Sequence, residues 1–130
     1  ALGLQVPYES YVAAQRLGLV SANGGVSYLL SSGYGTDSSV ATGVGIALAN
    51  AGNGAPMNFV GWTRCSAGQC PQGSDAGWYP VLNGASGGGS TAAGFTHYTT
   101  QLTATLARLP GQTVTAGKVD ARAYVWVKVQ

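Results

Sequence analysis

Apolar side chains return at every second position along most of this chain, the period of a strand with one buried face. In ALGLQVPY, Leu2, Leu4, Val6 and Tyr8 share a face. RLGLVS follows, then a turn at ANGG, and VSYLLSS puts Val26, Tyr28 and Leu30 together. TGVGIALAN aligns Val44, Ile46 and Leu48 with small residues between them, and MNFVGW is a short strand after the turn AGNGAP. FTHYTTQLTATLARL predicts a long strand with Tyr98, Leu102, Ala104 and Leu106 in phase. Residues 63–94 are the least regular part. SYVAAQRLGL comes closest to a helical pattern but runs into glycine and strand-like residues, so no helix is expected. Many short strands separated by Gly-, Ser-, Asn- and Pro-rich turns argue for an antiparallel sandwich or barrel.

The cleanest alternation closes the chain. Val119, Ala121, Ala123, Val125, Val127 and Val129 fall on one face, and Asp120, Arg122, Tyr124, Trp126 and Lys128 on the other. Such a pattern places one face in a core and leaves the other wet or partly covered. Gly117 is in phase with the apolar set; a glycine there leaves a notch or lets another backbone approach closely. Terminal residues fray unless something holds them, so a strand this regular needs a partner.

The length of 130 residues fits one domain, residues 1–130, with no internal repeat or linker to divide it. Apolar residues make up 45%, too many for a disordered chain, and no apolar stretch approaches the length of a membrane span. The net charge is +2 and the six basic residues are scattered, which argues against a nucleic-acid surface. Cys65 and Cys70 in RCSAGQC are too far apart for a CxxC redox pair, and no second pair of ligands completes a zinc site. They read as a local disulfide of an exported protein, stabilising the fold by about 2 kcal/mol because the loop is short. The alternative is two free thiols in a loop.

Candidate chemistry is thin. His97 is the only histidine, and strand phase sets it opposite Tyr98 and Leu102, at the surface. Glu9, Asp37, Asp75 and Asp120 are isolated from one another in sequence, and the glycine run at 87–89 lacks the lysine and helix of a phosphate loop. Neither an enzyme nor a cofactor or metal site is expected. Trp62, Trp78 and Tyr79 flank the cysteine loop. They cap the core beneath it or, exposed, stack on a sugar or anchor a protein partner.

The stretch LTATLARLPGQTVTAGKVDARAYVWVKVQ resembles the C-terminal end of chaperone–usher pilus (fimbrial) subunits, most of all the pilin domain of type 1-like tip adhesins. The shared features are the L-T-A-x-x-A-R strand, the G-Q-T-V-T-A-G connection and an alternating strand ending in Gln. The family carries a glycine at the same distance from the C-terminus as Gly117. TGVGIALANAGNGAP and GGVSYLLSSG resemble further strands of that family. Two departures stand out: Val129 replaces a usual aromatic residue, and the first two strands lack the family's cysteines.

The resemblance implies an all-β fold, an incomplete immunoglobulin-like β-sandwich that lacks its last strand and is completed by a donor strand. The groove so left would be lined by Leu4, Val6, Gly117, Val119, Ala121, Ala123, Val125, Val127 and Val129, with the Leu4 and Val6 side opposite the terminal strand. A periplasmic pilus chaperone would fill it first, anchoring the carboxylate of Gln130. After passage to the outer-membrane usher, a neighbouring subunit's N-terminal strand would replace the chaperone. The chain would then be exported through the periplasm to a cell-surface fimbrium of a Gram-negative bacterium, contributing to attachment without membrane insertion. ALGLQV would be the first strand, or itself a donor strand. The alternative is a single-domain adhesin that binds a glycan or host protein through the aromatic-rich 62–82 loop, with Trp62, Trp78 and Tyr79 as contacts.

Overall fold

The computed structural model describes residues 2–62, 77–80, 86–87 and 98–127. Its strands are β1 (Leu2–Gln5), β2 (Val44–Asn50), β3 (Pro56–Met57), β4 (Trp78–Tyr79), β5 (Ser86–Gly87), β6 (Tyr98–Thr99), β7 (Leu102–Arg108) and β8 (Tyr124–Val127). One helix, α1 (Tyr8–Arg16), follows β1. The strands form two three-stranded sheets, in the orders β4-β1-β8 and β3-β2-β7, and a two-stranded ribbon of β5 and β6. Every one of these pairings is antiparallel. The all-β class expected from the period-2 runs is therefore the observed one, with one helical addition.

The helix corrects the sequence reading at Tyr8, which does not continue the first strand. Pro7 fixes an extended entry (φ −59°, ψ 151°), and its carbonyl accepts from Tyr11 N at 3.0 Å to open the first turn. Glu9 in the first turn and Arg16 in the last complement the helix dipole. The exit is a Schellman arrangement. Gly18, at φ +71°, donates to Gln15 O, and Leu19 N donates to Ala14 O at 2.9 Å. The helix buries Ser10, Tyr11, Ala13 and Ala14. Leu17, Leu19 and Val20, expected in a strand, instead pack half-buried against the core as the chain leaves the helix.

The core gathers Val6, Tyr11, Ala13, Ala14, Val26, Leu29, Leu30, Tyr34, Phe59 and Leu109. Short backbone bridges tie its segments together. Val26 and Phe59 exchange both hydrogen bonds, at 3.0 and 2.7 Å, and Leu29 and Ile46 do the same at 2.8 and 2.9 Å. Val60 then accepts from Val6 N and donates to Leu4 O, which stitches this layer to β1. Deep burial of Phe59, Leu30 and Leu109 is the main stabilising term, at roughly 1.5 to 3 kcal/mol for each fully buried side chain.

The terminal alternation is longer than the strand it forms. Among its described residues, Tyr124–Val127 enters the ladder with β1. The preceding residues hook onto a different part of the chain: Lys118 accepts from Ala41 N at 3.0 Å and donates to Ser39 O at 2.9 Å, while Asp120 O accepts from Ser32 N. The long strand expected before it is also divided, into β6 and β7.

A candidate strand-acceptor edge

The last strand brings its apolar face to the rim of a sheet. β8 pairs with β1 in the register Leu2↔Val127, Gly3↔Trp126, Leu4↔Val125 and Gln5↔Tyr124. Residues directly opposite in an antiparallel pair point to the same face. Leu4, half-buried, packs against the core, so Val125 and Val127 also lie on the core-facing side. Yet Val125 is 65% exposed and Val127 62%. β8 is the outer strand of its sheet, and no described strand pairs with its second edge.

The other sheet ends in the same way. Leu29 belongs to the buried core, pairs with Ile46 across a bridge, and Ile46 stands opposite Leu106 of β7. Along this single row exposure climbs from 6% at Leu29, through the half-buried Ile46, to 59% at Leu106. Leu102, in phase with Leu106, is exposed as well. β7 is again the outer strand of its sheet. Among the described residues, β7 and β8 are thus outer strands that carry core-facing aliphatic side chains into solvent, where an open sheet edge and apolar surface coincide. Leu102 and Leu106 were visible in the sequence as an alternating strand. What the sequence did not carry was the position of that strand at a rim.

The other residues named for the groove have distinct places. Val6 is buried in the core, and Leu4 lies beside Val125 rather than across a gap from it. Ala121 and Ala123 are half-buried against the core, and Val119 is exposed. At Gly117 the choice between a notch and a close approach falls to the second. A Cβ there would stand 2.4 Å from Ala41 N and 2.7 Å from Val40 C, backbone atoms of the same chain. Val129, Gln130, Cys65, Cys70 and His97 lie outside the described residues.

The aromatic residues flanking the cysteine loop are tied into the fold. Trp62 Nε1 donates to Val6 O at 2.7 Å, and Tyr8 meets the Trp62 ring edge-on, with centroids 5.5 Å apart and planes at 81°. The Tyr79 hydroxyl accepts from Asn58 N at 2.7 Å. Trp78 sits over Gly3, where an added Cβ would come within 3.0 Å of its ring. On the opposite face of β8, Trp126 Nε1 donates to Oε1 of the buried Gln5 at 3.0 Å, and Gln5 Nε2 donates to Gly61 O.

Charge contributes little at the edge. Arg122 and Asp120 approach to 3.9 Å, both well exposed, a pairing of small energetic value. Asp37 accepts from the hydroxyl and N–H of Ser39, which hold its carboxyl below the ordinary aspartate range. No cluster of three metal-ligating side chains occurs among the described residues. Residues 84–88 (GASGG) fit the G-x-S-x-G spacing of a hydrolase nucleophile. Ser86 and Gly87, however, form β5, paired with β6, rather than the strand-to-helix turn that motif requires. No described helix is long and apolar enough to cross a membrane.

A family model described as fimbrial protein matches residues 3–130. No curated protein and no solved structure matches the chain.

Proposed function

Since the chain belongs to the fimbrial protein family, and is thus a subunit of a cell-surface pilus, we propose that its exposed sheet rim accepts a strand from another polypeptide. Residues 1–130 act as one pilin-like domain, either a fibre subunit or the pilin half of an adhesin. The observation that carries this reading is the row Leu29–Ile46–Leu106, in which the core runs out before the sheet does. The exposed Val125 and Val127 on β8 support it independently.

An added strand repairs both defects at once. Its backbone satisfies an open edge, and its alternate side chains cover Val125, Val127, Leu102 and Leu106. These four are already partly shielded, so their further burial contributes on the order of 5 kcal/mol before the cost of ordering the incoming strand. That is comparable to the whole stability of a small domain. A periplasmic chaperone supplies the strand first and anchors the carboxylate of Gln130. At the outer-membrane usher the N-terminal strand of a neighbouring subunit takes over. Val119, Ala121, Ala123 and Val129 continue the accepting surface along the chain, with Leu4 as its inner border.

The test is expression of the chain alone and together with a periplasmic pilus chaperone, comparing monomer yield and melting temperature. Higher yield with the chaperone is expected, and the gain should vanish in the Leu106→Asp, Val125→Asp double variant. A lone chain that is monomeric, stable and indifferent to the chaperone refutes the reading.

A further inference from the structure

A separate feature lies between α1 and the segment that follows residue 30. There a cleft of about 270 Å³ is lined by Tyr8, Glu9, Val12 and Arg16 from the helix and by Tyr34 and Thr36 opposite. Ligand pockets span roughly 300 to 1,000 Å³, so this one suits a ligand of a single ring. Glu9, Val12 and Arg16 stand three and four residues apart, which sets them on one helix face. The carboxylate and the guanidinium cancel in charge, yet one only accepts hydrogen bonds and the other only donates them. A charged ligand would meet one matched and one opposed group. A neutral ligand rich in hydroxyls satisfies both.

The second observation is Tyr8. Its side chain is 61% exposed at the cleft, but it is not loose. The edge-on contact with Trp62 fixes it, and the bond from Trp62 Nε1 to Val6 O fixes Trp62 in turn. An aromatic ring held in water by its neighbours offers an apolar face at little entropic cost on binding. Next to the cleft, and sharing Thr36 with it, lies a second hollow of about 420 Å³ lined by Asp37, Ser38, Thr42 and Thr115. Val40 and Ala116 supply apolar surface there, beside the hydroxyls and the carboxylate. We propose that this surface binds a neutral saccharide, with one pyranose ring against Tyr8 between Glu9 and Arg16, and any following sugar directed past Thr36 towards Asp37. The site shares none of its lining with the edge residues Val125, Val127, Leu102 and Leu106, so either proposal can fail without the other.

Saturation-transfer NMR on the full chain tests it, with the methyl pyranosides of glucose, galactose, mannose and N-acetylglucosamine as probes and sialic acid as the charged comparison. Transfer to the ring C–H protons of at least one is expected. Binding should weaken about tenfold in Tyr8→Ala and be retained in Tyr8→Phe, which keeps the ring and controls for folding. Glu9→Gln should weaken it as well, with a melting temperature lowered by no more than a few degrees, the share of the lost helix-dipole charge. No transfer from any of the four probes overturns the proposal, as does undiminished binding by Tyr8→Ala. A preference for sialic acid over all the neutral sugars overturns it too, because the charge argument would then be wrong.

Discussion

Leu106 stands directly opposite Ile46 in the β2–β7 ladder, yet Ile46 packs against the core while Leu106 is mostly in water. The two differ in what lies on their far side. Ile46 has Leu29 beside it, joined by two backbone hydrogen bonds, whereas Leu106 is on the outer strand. An aliphatic residue in that position contributes little to the isolated chain, and the proposed incoming strand would be what covers it.

Leu106→Asp should therefore cost the lone chain less than about 1 kcal/mol, as expected at an exposed position. Fusing an alternating apolar strand behind Gln130 through a flexible linker should raise the melting temperature of the wild type by about 5 °C or more. The variant should lose most of that rise, which scanning calorimetry of the four proteins reads directly.

Gly117→Ala should be costly although Gly117 sits in an exposed stretch. The new methyl meets the backbone of Val40 and Ala41, which cannot rotate away as a side chain would. About 1 to 3 kcal/mol of destabilisation is expected in urea unfolding, the range for overpacking. A neutral result would mean that segments 39–41 and 117–118 separate easily.

Trp62→Phe keeps a ring against Tyr8 but removes the donor to Val6 O. Leaving that carbonyl without its partner should cost about 1 to 3 kcal/mol. Loss of a sugar signal with stability intact would contradict the structural role.

Asp37 gives a pH signature. Its carboxyl is held down by the Ser39 hydroxyl, then by the Ser39 N–H. A depressed folded value means that the stabilisation is present above the ordinary aspartate range and is lost as pH falls through the folded value. The melting-temperature gap between wild type and Asp37→Asn should accordingly be open at neutral pH and close in strong acid. The group is fully exposed, so the gap is small.

The period-2 runs made the all-β class and the strand at Val44–Asn50 readable, because Val44, Ile46 and Leu48 recur there at every second position. The helix escaped the same reasoning because its buried face consists of Ser10, Tyr11, Ala13 and Ala14, too small and polar to show a 3.6-residue hydrophobic period. The terminal signals Pro7, Glu9, Arg16 and Gly18 were all in the sequence and would have found it. The exposed edge was half legible. Alternation marked Val125 and Val127 as apolar-faced, but alternation is the same for a central strand and an outer one. Only the order of strands tells them apart, and that order depends on pairings between distant segments.

One such pairing has a kinetic consequence. β1 lies between β4 and β8, so its ladder with β8 joins Leu2 to Val127, almost the full span of the chain. Closing so large a loop is slow, and the contacts that reward it arrive late. The helix and the bridges around Val26, Leu29 and Phe59 can form while β1 waits. Among the described ladders, the sheet that bears the valine edge is therefore expected to close last during folding, when sticking to a neighbour is the main hazard.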